Sequence, residues 1–316
     1  MCFAERNVPS LNSLTQKPPV APAIPLLVGM IAISFAPILV RYSSAPVSVQ
    51  GMWRMLFTLV LMLPFAGGER LRAFRAIKPS DWWLLLAAGF FLALHFLLWM
   101  ASLDYTSIAS STLILSLEPV FVMIGAFFLF KDRLARKAIV GLAAALIGIA
   151  IVGAGDSGLS GDAITGDLLS LLGTLAVAIN MLLAKRILER VPSFQYSLIV
   201  FAVTAVCFFL YNLATGTDMT DYPSRDWLAF AGLAVIPTVL GHMIFNWLLR
   251  YVKPATISMS VLAEPVGASI LGLFLFGEAI GVWQVTGGAF VIAGLTLYMR
   301  SEAEAYDRPA EKANQN

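Results

Sequence analysis

The chain has very little cysteine, charge or histidine. Cys2 stands near its start and Cys207 inside an apolar run, so neither a disulfide framework nor a cysteine metal site is available. Only 13% of the 316 residues are charged and the formal net charge is +2, with the basic residues in short scattered groups. That pattern gives no nucleic-acid-binding face. No phosphate-cradling glycine loop, HExxH or Gly-x-Ser-x-Gly occurs, so no cofactor, no metal and no hydrolase is expected. Gly153-Ala154-Gly155-Asp156 matches the short string of intramembrane aspartyl proteases, but Asp104 does not sit in the partner motif. The first 22 residues lack the basic, apolar and small-residue order of a cleavable signal. They read as a flexible cytoplasmic tail, with the first membrane helix acting as the insertion signal.

Apolar residues are what the chain has instead, 59% of it, against about half in soluble domains. A bilayer needs about 20 apolar residues per spanning helix. Cutting at charge clusters and Gly/Pro punctuation gives ten such segments, over 23–42, 49–67, 82–102, 107–130, 136–155, 164–187, 194–214, 227–249, 255–277 and 281–299. The expected fold is an all-α integral membrane protein of ten transmembrane helices. Cytoplasmic loops accumulate Lys and Arg, and with the N-terminus inside, 18 of the 21 basic residues fall on the cytoplasmic side. Both termini are then cytoplasmic, and 301–316 forms a second cytoplasmic tail.

The apolar run SLEPVFVMIGAFFLFKD, with Glu118, Pro119 and Asp132, is echoed by LAEPVGASILGLFLFGE, with Glu264, Pro265 and Glu278. Further matches at the same offset include Tyr105/Tyr251, Phe128/Phe274, Gly141/Gly287 and Gly148/Gly294. Two repeats result, 23–155 and 164–300, each of five helices. Five is odd, so the second must cross the membrane in the opposite sense to the first, the arrangement that lets carriers alternate between two faces around one site.

Glu118 is expected roughly 16 Å and Glu264 roughly 14 Å into the membrane, at 1.5 Å per helical residue. A carboxylate there is costly, and the following proline removes a backbone donor, so each spot must face a cavity or a partner. One reading makes the pair a substrate or proton site; the other makes each a structural hydrogen bond or ion pair. Arg54, in the second helix, either pairs with Glu118, or grips a substrate carboxylate with its planar fork, or snorkels to the interface. His95 and His242 fall at nearly matching places, with Trp99 and Asn246 four residues on; cavity lining and plain packing both fit. Asn180 and Ser34 read as pore lining or as bonds to a neighbouring helix. Asp132 and Glu278 read as caps or interfacial groups. The glycine faces of the fifth and tenth helices read first as close packing and second as a homodimer seam.

The order of these motifs, together with MWRML in the second helix and the YTSIAS and YVKPATIS entries, resembles the drug/metabolite transporter superfamily, EamA type, over roughly 24–300. Lys131-Asp132 in place of Gly-Glu, and SFAPILVRYS in place of a tryptophan-led first helix, depart from the pattern. The resemblance implies a central cavity between the halves, alternating access, and export of small metabolites such as amino acids across the cytoplasmic (inner) membrane. Proton coupling is common in such systems; no residue here shows it. The partners expected are a small-molecule substrate and the lipid bilayer. A membrane enzyme acting on a lipid-linked substrate is the alternative class, and it would need a catalytic cluster at one membrane face.

Overall fold

Prolines and glycines decide where the helices of this chain start, bend and stop. The computed structural model describes residues 19–106, 108–132, 135–154, 161–276 and 281–314, all of whose regular structure is helical. Glu278, Asp156 and the first 18 residues lie outside this set.

The first expected segment is two helices, α1 (Ala23–Ile33) and α2 (Ala36–Tyr42), with Pro37 in the first turn of α2. Pro46 precedes α3 (Val47–Met62), which tightens into a 3-10 turn at Leu63–Phe65. The polar connection that follows folds a short helix, α4 (Glu69–Phe74), before α5 (Pro79–Ser102) opens on its proline. A proline there sacrifices no helical donor and arrives with its φ already set. The fourth segment breaks into α6 (Ile108–Leu115) and α7 (Glu118–Phe130); α8 (Arg136–Ala154) completes the first half.

In the second half α9 (Gly161–Leu188) is followed by α10 (Ser193–Thr215), which Gly216 ends in the left-handed region at φ 65°. Next come α11 (Ser224–Leu233), a π-helical segment (Ala234–Met243) and α12 (Ile244–Leu248). Then α13 (Pro254–Val261) and α14 (Glu264–Phe276) repeat the break of α6 and α7, and α15 runs Val282–Asn314, past the end expected at 299.

Six of these stretches are long and apolar enough to cross a membrane: Ala23–Tyr42, Val47–Phe65, Pro79–Ser102, Ile164–Leu188, Ser193–Thr215 and Ser224–Leu248. Four of them carry exposed Leu27, Ile31, Val60, Phe90, Val206, Leu210 and Leu213, apolar surface suited to hydrocarbon rather than water.

The main helix contacts recur when the two halves are exchanged. α5 against α9 matches the π-helical segment against α1; α7 against α13 matches α14 against α6; α3 with α10 and α8 with α15 map onto themselves. The α8–α15 contact is backbone to backbone. A Cβ on Gly141 would sit 2.7 Å from the Gly294 carbonyl oxygen, and one on Gly294 would sit 2.6 Å from the Ala145 nitrogen. Small residues let two helices approach this closely, and these glycine faces meet each other within one chain.

A second pair of matched features escapes the sequence reading. Asp81, in the first turn of α5, is buried and pairs with Arg190 at 3.1 Å in the α9–α10 connection. Asp226, in the first turn of α11, is buried and accepts from the Ser44 backbone N–H at 2.9 Å and the Ser44 hydroxyl at 2.8 Å, in the α2–α3 connection. Pro79-Ser80-Asp81-Trp82 and Pro223-Ser224-Arg225-Asp226-Trp227 spell this correspondence, hidden by one inserted residue.

Candidate functional site

The two broken helices set the geometry of the centre. At Ser116-Leu117 and again at Leu262-Ala263 the helix gives way to a turn, and Glu118 and Glu264 become the first residues of α7 and α14. The prolines at 119 and 265 have no N–H to continue the preceding ladder. A carboxylate in the first turn faces the positive end of the new helix. Both glutamates are buried, and Glu118 Oε1 has no hydrogen-bond partner among the described residues.

Arg54 comes to the same place from α3. It is wholly buried, which removes snorkelling as its explanation. Its Nε donates to Thr238 Oγ1 at 2.6 Å, and its guanidinium carbon lies 4.0 Å from the centre of the Phe96 ring. Nη1 and Nη2 have no partner among the described residues, so the expected pairing with Glu118 is not made. Arg54, Glu264 and Glu118 nevertheless border one cavity. The site thus holds two carboxyl groups and one guanidinium whose fork is open.

Thr238 is the residue that aims the arginine. It follows Pro237 inside the π-helical segment, where the ordinary helical donor to the Leu233 carbonyl would have been the proline nitrogen. The π-helical register carries the ladder past the proline, and the Thr238 hydroxyl also donates to the Leu233 carbonyl, at 2.7 Å, which leaves its lone pairs to accept from Arg54. The turn below is tied by Thr58, whose hydroxyl donates to the Arg54 carbonyl at 2.8 Å. Sequence reasoning ran a continuous helix through 227–249 and passed over Thr238; Pro237 inside that run was the available signal.

His95 Nδ1 lies 2.9 Å from the Gly173 carbonyl oxygen, which can only accept, so Nδ1 carries the hydrogen and Nε2 of the neutral ring is an acceptor. Its ring stacks near Trp99, at 6.1 Å and 15°, and the Trp99 indole N–H is buried without a partner among the described residues. Phe96 meets His242 edge-on at 5.2 Å. Asn180 Nδ2 donates to the Ala88 carbonyl at 2.8 Å and Asn246 Nδ2 to the Ser197 hydroxyl at 3.1 Å. Ser34 turns its hydroxyl back on the Met30 carbonyl of its own helix.

One cavity of about 60 Å³ is bordered by Glu118, Glu264, Arg54, Trp99, His95, His242 and Asn180, together with Asn246 and apolar neighbours such as Phe96 and Phe245. The two glutamates, the arginine and the histidines come from five different helical stretches. Asp132, half-buried beyond the end of α7, and Ser34 are not part of this border. Among the described residues no group of three His, Cys, Asp or Glu side chains could hold a metal ion.

Known proteins share this architecture. The profile of the EamA-like transporter family matches residues 22–154 and again 164–300. An uncharacterized transporter of Archaeoglobus fulgidus is 26% identical over 247 residues, 78% of this chain and 84% of that protein. A probable amino-acid metabolite efflux pump of Salmonella typhimurium is 29% identical over 199 residues, 59% of this chain and 66% of the pump. One solved crystal structure superposes with a TM-score of 0.74 at 16% identity, covering 88% of this chain and 96% of its own, a likeness of fold.

Proposed function

The chain belongs to the EamA-like transporter family, and on that premise we propose that it is a secondary-active carrier exporting a small zwitterionic metabolite, an amino acid or close relative, by alternating access. The observation that carries this reading is the cavity where the two terminal nitrogens of Arg54, without a partner among the described residues, stand beside Glu118 and Glu264. An ionised group inside a membrane costs roughly 3 kcal/mol even on lenient scales, and leaving its donors unpaired adds to that. Structural ion pairing would have satisfied them. A substrate with a carboxylate for the arginine fork and an ammonium for the glutamates satisfies both signs at once. The name of the Salmonella relative, an amino-acid metabolite efflux pump, agrees with that chemistry.

In this reading ten membrane helices form two inverted five-helix repeats, with both termini on the cytoplasmic side of the inner membrane. The exchange symmetry of the helix contacts supports the repeat, and the placement of Lys and Arg supports the orientation. Rocking one half against the other opens the cavity to each face in turn. Glu118 and Glu264 carry the proton that drives export. His95, Trp99, His242 and Asn180 shape the wall.

Counterflow in proteoliposomes tests this directly. Purified protein is expected to exchange radiolabelled neutral amino acids, and the rate is expected to depend on pH. Glu118→Gln and Glu264→Gln keep the shape of the side chain but cannot titrate. Each is expected to lower exchange at least about tenfold, on the scale of a lost charge-assisted hydrogen bond, and to flatten the pH profile. Unchanged rate and profile in both variants would remove the glutamates from the mechanism; chemical conversion of a bound compound would favour the enzyme alternative instead.

A further inference from the structure

A second hollow lies outside the polar cavity, between α1, the C-terminal end of α3, the start of α10 and the π-helical segment. It encloses about 610 Å³ and is almost wholly apolar, bordered by Leu61, Phe65, Phe194, Val239, Met243 and Trp247. Leu61 and Phe65 are well exposed at its mouth, so in a membrane it opens sideways into the hydrocarbon. Its border contains one charged group. Arg70, at the start of α4, lies 4.7 Å above the Phe194 ring and donates from Nη1 to the Phe65 carbonyl at 3.2 Å. The Gln195 side-chain amide donates to the Arg70 carbonyl at 2.7 Å, which fastens α4 against α10 at the edge of the hollow. Beyond Arg70 the same connection presents exposed Arg72, Arg75 and Lys78.

An apolar hollow bordered by a held arginine, on a connection that carries three more exposed cations, is complementary to one class of occupant. We propose that this crevice is a binding site for an anionic phospholipid, with an acyl chain against Trp247 and Met243 and the phosphate headgroup on Arg70. Basic clusters immediately beside a membrane helix attract anionic lipid, and a guanidinium recognises phosphate better than a point charge does. On the orientation proposed above, the lipid comes from the cytoplasmic leaflet; the site itself requires only that the chain spans a bilayer. The wall is shared: the π-helical segment presents Val239 and Met243 to the crevice, while its His242 borders the transport cavity and its Thr238 holds Arg54.

Trp247 makes the proposal measurable without any transport assay. The full chain is reconstituted in phosphatidylcholine bilayers containing a small share of lipid brominated along its chains, and the Trp247 signal is taken as the difference from Trp247→Phe. Brominated phosphatidylglycerol is expected to quench that signal at a mole fraction about fivefold lower than brominated phosphatidylcholine, the worth of one basic residue near anionic lipid. Arg70→Gln is expected to abolish the difference, whereas Arg72→Gln with Arg75→Gln keeps most of it. Equal quenching by the two headgroups, a preference that survives Arg70→Gln, or one lost equally with the outer arginines would overturn the site, whatever the carrier transports.

Discussion

Arg54 would be inert if its guanidinium could turn freely, so the atoms that fix its direction matter as much as its charge. The chain of causes is short: the Thr238 hydroxyl donates to the Leu233 carbonyl beside Pro237, and the same oxygen accepts from Arg54 Nε. Thr238→Val, nearly the same shape, strands Arg54 Nε at a cost of about 1–3 kcal/mol for a buried unsatisfied group. Substrate affinity in counterflow is expected to fall at least tenfold, and Thr238→Ser is expected to restore it. A general loss of folding would depress both variants alike, so recovery by serine separates aiming from packing. Charged and aromatic members of the cavity were legible in the sequence because each is anomalous in an apolar run: Glu118 and Glu264 announce themselves, and Arg54 nearly so. Thr238 was not, since threonine is ordinary in a membrane helix and only its partner gives it meaning.

Interrupted helices are the second level at which this chain departs from a simple bundle. The breaks before Glu118 and Glu264 follow from the Glu-Pro pairs and could be anticipated. The π-helical segment could not, because hydropathy across Ala234–Met243 is that of any span and only Pro237 marks it. Another local strain sits at Lys131, which closes α7 in the left-handed region at φ 61° and ψ 23°, a conformation that costs a residue with a Cβ about 1 kcal/mol relative to glycine. The second repeat carries glycine at the aligned position. Lys131→Gly is therefore expected to raise the thermal midpoint in detergent by a few degrees with exchange unchanged; a lowered midpoint would mean that the lysine side chain itself anchors the helix end. At the α8–α15 seam the sign is opposite. Gly148→Leu must displace the Gly287 carbonyl and the Phe290 side chain, so destabilisation of about 1–3 kcal/mol or more is expected from overpacking, read as loss of monodisperse protein on heating.

Across the whole molecule, the buried aspartates at the starts of α5 and α11 occupy equivalent places in the two halves and tie equivalent connections, Asp81 to Arg190 and Asp226 to Ser44. The proposed inverted topology puts these ties on opposite faces. Asp81→Asn then weakens closure on the cytoplasmic face and Asp226→Asn on the outer face, and the two substitutions should shift accessibility of the cavity in opposite directions. Shifts in the same direction would show that the ties do not act as opposed closures. The repeat was visible in the sequence where Glu-Pro recurs at a fixed spacing. It faded where one inserted residue, Arg225, put the two Pro-Ser-Asp-Trp strings out of step.

The account stands on one cavity serving both faces of the membrane, and Val177 borders that cavity from α9 without charge or hydrogen bonding. Val177→Cys, in a chain whose Cys2 and Cys207 are replaced by serine, can be probed with a membrane-impermeant thiol reagent in vesicles of each orientation. Modification from both sides, slowed on both by the transported amino acid, is the predicted result. Modification from one side alone, in a chain that still catalyses counterflow, would contradict alternating access through this site.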